Sequence, residues 1–111
     1  MSTRNMRIAE EIKKELSNVI RELKDPRIPQ LTSVLRVDVT PDLRYAKAHI
    51  SIMGTESEKT AAIEGLTSAA GLVRREIGSR IDLRFTPEFT FVSDNSIEYG
   101  AKINEMFKNG L

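Results

Sequence analysis

The chain has 111 residues, no cysteine and a formal net charge of +1. That length suits one domain, so we expect residues 1–111 to fold as a single unit. The absence of cysteine excludes disulfides and thiolate metal sites. No apolar run reaches the roughly 20 residues of a membrane span, and the first residues do not resemble a signal peptide. We therefore expect a cytoplasmic protein without a membrane partner.

The nearly neutral charge conceals two basic segments. Residues 4–27 carry seven cations against five anions, and residues 72–84 carry four against two. If the partner is a polyanion, we expect these cations to converge into one continuous patch. The candidate anion-binding residues are Arg4, Arg7, Lys13, Lys14, Arg21, Lys24, Arg27, Arg74, Arg75, Arg80 and Arg84.

The first predicted element is an amphipathic helix from Ser2 or Thr3 to about Lys24. Asp25-Pro26 ends it, because a residue before proline avoids the helical region. Most cations fall opposite the apolar stripe or on one flank, and three glutamates (Glu11, Glu15, Glu22) fall on the other flank. This segregation favours a directional partner, although a solvated face of salt pairs explains it equally well. The stripe consists of Ile8, Ile12, Leu16, Val19, Ile20 and Leu23.

Three strands are predicted. Residues 33–39 alternate, with Leu35, Val37 and Val39 as the core face, and residues 46–52 alternate likewise. The short link between them predicts an antiparallel hairpin, and the small Ala46 and Ala48 indicate a helix lying close to the second strand. Residues 87–93 predict the third strand. Lys47 and His49 are expected on the solvent-facing side of the sheet.

A helical pattern runs from about residue 58 to 81 and is interrupted by Ala69, Ala70 and Gly71. A glycine inside a helix costs about 1 kcal/mol relative to alanine, so the interruption requires a reason. The small residues either allow close packing on a neighbouring element, or they form a kink whose exposed backbone approaches a phosphate beside Arg74 and Arg75.

A short final helix is predicted at residues 97–107. The phenylalanines read as core or nearly core, which leaves Tyr45 and Tyr99 as the candidate exposed rings. With so few rings for stacking, recognition of a nucleic acid should depend on phosphate contacts and shape. The resulting fold class is α+β, with a three-stranded sheet covered on one face by helices. The phenylalanines concerned are Phe85, Phe89, Phe91 and Phe107.

The order helix, strand, strand, kinked helix pair, strand resembles the type II KH fold. At the residue level, the chain is similar to the ribosome-binding factor A family over essentially its whole length. The matching stretches are RNMRIAEEIKKEL (4–16), KDPRI (24–28), VDVTPDLRYAKAHIS (37–51), AAGLVRREIGSRIDLR (69–84) and PEFTFVSDNSIEYGAKI (87–103).

The resemblance implies a non-catalytic assembly factor that binds 16S rRNA and free small ribosomal subunits or their precursors. It further implies help with late 16S rRNA processing near the 5′ end, a link to growth in the cold, and a monomer without cofactor or small-molecule substrate. KH domains clamp nucleotides with a Gly-x-x-Gly loop. The family has an Ala-x-Gly kink instead, which corresponds to Ala69, Ala70 and Gly71. The eleven candidate cations are then expected to contact RNA.

The residues also bear on two other classes of protein. An enzyme is disfavoured, because the one histidine, His49, has no cysteine or second histidine to join it, and no phosphate-binding or nucleophile motif occurs. Asp94 and Glu98 are spaced for one helical face, but such carboxylates usually favour a helix N-terminus. The remaining alternative is a protein-interaction module without RNA contact, which would use the acidic C-terminal half or a free sheet edge.

Overall fold

The computed structural model describes residues 3–94. Three helices and three strands follow one another in the order helix, strand, strand, helix, helix, strand. The helices cover one face of the sheet, as predicted for a KH-like α+β fold. The element bounds are α1 Thr3–Glu22, β1 Ser33–Val39, β2 Tyr45–Ser51, α2 Glu56–Ser68, α3 Ala70–Arg80 and β3 Glu88–Ser93.

Helix α1 lays its predicted apolar stripe against the sheet. Ile12 and Leu16 are fully buried in the core. The helix ends at Glu22, two residues before the predicted end, because the Leu23 amide already donates to the Ile20 carbonyl at 3.1 Å. Such a three-residue bond tightens the last turn and brings the chain to Asp25-Pro26.

The sheet has the order β1-β2-β3, with β2 in the centre. Strands β1 and β2 pair antiparallel, which confirms the predicted hairpin. Strand β3 pairs with β2 in parallel, beginning at Tyr45 opposite Glu88. Ala46 and Ala48 are buried on β2, as their small size indicated.

The predicted core face of β1 was wrong at its first position. Val34 is buried while Leu35 is only partly so. The register shifts between Val34, opposite Ile50, and Arg36, opposite His49, which leaves Leu35 as the extra residue of a β-bulge. One extra residue exchanges the two faces of a strand, so alternation resumes correctly only at Val37.

The predicted break in the helical pattern is confirmed at Ala69. This residue separates α2 from α3 with φ −89° and ψ 1°, outside regular helix geometry. Its amide donates back to the Gly65 and Leu66 carbonyls, and its own carbonyl accepts from Val73. The two helices are therefore joined by a single non-helical residue.

The start of α2 is fixed by a complete capping box. The Glu58 amide donates to the Thr55 hydroxyl at 3.1 Å, and the Thr55 amide donates to the Glu58 carboxylate at 2.9 Å. This backbone bond lowers the pKa of Glu58. The reciprocal pair explains why the helix begins at Glu56 and not at the predicted residue 58.

Thr55→Ala is expected to lower the free energy of unfolding by about 1 kcal/mol, because one amide at the N-terminus of α2 loses its acceptor. Urea denaturation followed by circular dichroism measures this. Thr60→Ala removes the same atoms from an exposed position inside α2, where alanine is the better helix former. Equal stabilities of the two variants would show that the capping box contributes nothing.

The predictions for the phenylalanines are partly confirmed and partly wrong. Phe89 and Phe91 are buried, as expected, and their rings lie 6.3 Å apart. Phe85 is 43% exposed, so its assignment to the core was wrong. It belongs to the connection between α3 and β3, whose buried members are Ile81 and Pro87. The predicted final helix, with Phe107 and Tyr99, lies outside the described residues.

Within residues 3–94, no helix is both long and apolar enough to span a membrane.

Candidate nucleic-acid interface

The α1–α3 seam is closed by Arg80 at the end of α3. Its guanidinium lies 2.7 Å from the Glu22 carboxylate and 3.7 Å from that of Glu15, both on α1, and 3.5 Å from Glu76 on its own helix. The hydrogen bond to Glu22 raises the pKa of Arg80. Of the predicted RNA contacts, Arg80 is therefore the one most fully neutralised by the protein itself.

This seam interrupts the continuous basic patch that the sequence predicts. Glu15 and Glu22 belong to the acidic flank of α1, and that flank turns toward α3 to meet Arg80. On a 3.6-residue helix, Lys13 and Lys14 then lie on the far side of these glutamates from α3. Glu15 and Glu22 therefore lie between α3 and the cations of α1, except Arg4, which lines one surface cavity with Arg84.

The kink leaves Gly71 exposed on the surface. Among residues 3–94, a Cβ added at this glycine would meet no atom of a neighbouring element within 4 Å, so close packing on a described neighbour does not explain it. Gly65 and Gly78 differ, because their added Cβ atoms would lie 3.1 Å from Asp25 and 2.9 Å from Thr86. Ala69 and Ala70 do pack partly against the core. Of the three predicted kink residues, Gly71 is the exposed one, and Ala69 and Ala70 are half-buried.

The N-terminus of α3 has no side-chain cap, unlike that of α2. The first amides of a helix lack acceptors within it and carry the positive end of the helix dipole. One turn further on are Arg74 and Arg75, both exposed. The Nε–H of Arg74 donates to the Thr86 carbonyl at 3.1 Å, which leaves its terminal nitrogens available. The arrangement offers amides, open space and guanidinium groups at one place.

The basic side of α1 is exposed over Arg7, Lys14 and Arg21, and Lys13 is half-buried. Arg21 donates to the Asn18 side chain, which orients it. After α1, Lys24 is exposed. These residues form a second basic surface, separate from α3.

Arg27 is engaged by its own turn. Its guanidinium lies 2.7 Å from the Asp25 carboxylate, which also accepts from the Arg27 amide at 2.9 Å. The side-chain bond lowers the pKa of Asp25 and raises that of Arg27. The turn packs on α2 at Gly65. The DPR sequence therefore has a structural role, and Arg27 is less available to a phosphate than the cations of α1.

A third cluster surrounds Phe85. Arg44, from the β1–β2 turn, and Arg84 place their guanidinium carbons 5.3 and 5.5 Å from the centroid of the Phe85 ring. Arg4, at the start of α1, lines the same surface cavity of about 450 Å³. The sequence predictions included Arg4 and Arg84 but missed Arg44 and Phe85. The available signal for Phe85 was an arginine–phenylalanine pair directly before Thr86-Pro87, in the connection between α3 and β3.

His49 is not simply solvent-facing as predicted. Its side chain is 13% exposed, with Nε2 2.9 Å from Asp38 and Nδ1 3.7 Å from Asp94. It links β1, β2 and the residue after β3. Lys47 is exposed as expected. Among residues 3–94, no group of three or more acidic, histidine or cysteine side chains is arranged to hold a metal ion.

Known proteins resemble this chain along most of its length. A ribosome-binding factor A from Caldanaerobacter subterraneus is 55% identical over 97% of this chain and 89% of its own. One from Acetivibrio thermocellus is 58% identical over 90% of this chain and 82% of its own. Two proteins can share a fold at much lower sequence identity than these relatives show over most of their length.

Solved structures agree in fold. The crystal structure of ribosome-binding factor A from Thermus thermophilus has a TM-score of 0.72 at 21% identity, covering 80% of this chain and 94% of its own. A homology model of Thermus ribosome-binding factor A, fitted into a cryo-electron microscopy map of its 30S complex, has a TM-score of 0.65 at 22% identity, covering 78% and 91%. The family model of ribosome-binding factor A matches residues 4–107, and the chain belongs to that family.

Proposed function

We propose that residues 1–111 act as one KH-like RNA-binding domain that binds the free 30S subunit or its precursors through 16S rRNA. The protein assists late 16S rRNA processing near the 5′ end without catalysing a reaction itself. It works as a cytoplasmic monomer and supports subunit assembly in the cold. Family membership supports this function, as does the Thermus relative fitted into a 30S complex.

The observation that carries the proposal is the open backbone at Gly71. A Cβ added at this glycine, in the first turn of α3, would meet no neighbouring element within 4 Å among the described residues, so packing inside residues 3–94 does not require a glycine there. A polyanion backbone can approach there without meeting a side chain. The uncapped amides of α3 then donate to a phosphate, while Arg74 and Arg75 neutralise its charge.

Such a contact changes the RNA only through differential affinity. A protein that binds two rRNA conformations equally shifts neither, however tight the binding. A rigid set of donors held at fixed spacing on α3 prefers whichever conformation presents phosphates at that spacing. In this way a protein without catalytic groups promotes processing, by favouring the rRNA conformation that a nuclease accepts.

Sedimentation of the protein with purified 30S subunits across a potassium chloride series tests the proposal. Binding through phosphates is expected to weaken steeply with salt, because each neutralised phosphate releases about 0.7 to 0.9 counterions. Binding to mature 30S subunits without salt dependence would instead indicate a protein-interaction module. No co-sedimentation with 30S subunits or precursors at any salt concentration would overturn the function.

A further inference from the structure

The Phe85 cavity is a separate place where charge and an aromatic face coincide. Phe85 is 43% exposed, and two guanidinium groups approach its ring. Arg4 and Arg84 have no carboxylate within 4.0 Å among residues 3–94, so no described carboxylate neutralises their charge. The carboxylate that lines the cavity is Asp42, 3.8 Å from Arg44.

The cavity is already formed, because its three segments are tied together. The Glu88 amide donates to the Arg44 carbonyl at 2.8 Å, which joins the Phe85 connection to the β1–β2 turn. The Asn5 amide group reaches the Pro41 carbonyl at 3.5 Å, which joins the start of α1 to the same turn. Fixed segments reduce the entropy lost on binding.

The turn itself is held tightly. Leu43 has φ 62°, a left-handed conformation that is uncommon for a leucine. It is retained because the Asp42 carboxylate accepts from the Thr40 hydroxyl at 2.7 Å and from the Arg44 amide at 3.1 Å. The Thr40 bond contributes most to lowering the pKa of Asp42. The Asp42 carboxylate thus holds the turn through these two bonds and also lies 3.8 Å from the exposed Arg44 guanidinium.

We propose that this cavity binds one unpaired nucleotide of single-stranded RNA. The base stacks on the exposed part of the Phe85 ring and on the guanidinium groups that lie over it, a mode open to any base. Its phosphate lies among Arg4, Arg44 and Arg84. A ring alone would accept any apolar group and arginines alone any anion, but the two together within one cavity match a base and its phosphate.

This inference rests on the proposed function and adds a base contact to it. The probe is a fluorescently labelled twelve-nucleotide single-stranded RNA of mixed sequence, titrated against the full chain. Phe85→Leu is expected to weaken binding about tenfold, because the base loses its aromatic stacking partner, without changing the salt slope. Phe85→Tyr keeps the ring and is expected to bind like the unaltered protein.

Arg44→Gln is expected to weaken binding and to reduce the salt slope by about 0.7, the value for one phosphate on a single strand. Arg36→Gln is the matched control, because it removes an equally exposed arginine from β1. Ultraviolet irradiation of the complex should cross-link RNA to Phe85, as located by mass spectrometry.

Equal affinities of the Phe85→Leu variant and the unaltered protein for the RNA, with no cross-link at Phe85, would overturn the inference. If the same variant loses 30S binding but not RNA binding, the cavity contacts something on the subunit other than single-stranded RNA, and the inference also fails. In both cases the proposed function stands as long as the unaltered protein co-sediments with 30S subunits. Loss of that co-sedimentation refutes the function independently of the cavity.

Discussion

Replacing Arg74 and Arg75 together by alanine is expected to weaken 30S binding by about a hundredfold. Each guanidinium–phosphate contact contributes about tenfold, and both side chains are exposed beside the uncapped N-terminus of α3. The slope of log affinity against log salt should fall by about 1.4 to 1.8, the value for two phosphates. Sedimentation at five salt concentrations gives both quantities.

Two controls distinguish a local phosphate contact at the kink from a general effect of removing positive charge. Arg36→Ala with Lys47→Ala removes the same charge from exposed positions on the uncovered face of the sheet, and is expected to leave the slope nearly unchanged. Arg75→Ala alone preserves the Arg74 bond to Thr86, so it tests phosphate contact without disturbing that connection. Equal losses from both double variants would contradict a specific contact at the kink.

Gly71 should show opposite effects on stability and on binding. Gly71→Ala is expected to raise the free energy of unfolding by up to about 1 kcal/mol, because alanine is the better helix former and its Cβ meets no neighbouring element within 4 Å among residues 3–94. Gly71→Leu, equally free of clashes at Cβ, places a larger side chain where the RNA backbone approaches. It is expected to fold normally and to lose at least about tenfold in 30S affinity, the value of one lost charged contact.

Thermal unfolding and sedimentation on the same preparations measure the two effects. Ser79→Leu is the matched control for added bulk, because Ser79 is also exposed on α3 but lies near its other end. Unchanged 30S binding by Gly71→Leu would mean that the kink faces solvent on the subunit. A destabilised Gly71→Ala would mean that the glycine serves the fold after all.

The sequence by itself determined the elements whose signals are local. The apolar stripe of α1, the β1–β2 hairpin and the break near Ala69 all follow from side-chain periodicity or backbone preference within a few residues. Even the misplaced start of α2 had a local signal, since Thr55 and Glu58 have capping-box spacing. Family membership could also be predicted from the sequence, because it depends on which residues follow one another along the chain.

Only the tertiary structure decided which charges meet. The helical wheel separated the acidic and basic flanks of α1, but it could not show that the acidic flank faces Arg80. Nor could it show that Arg44 and Arg84, forty residues apart in the sequence, share the ring of Phe85. The interaction between two exposed charges is screened beyond about 10 Å at 0.1 M salt. Which cations act together therefore depends on how the helices pack and not on the order of the residues in the chain.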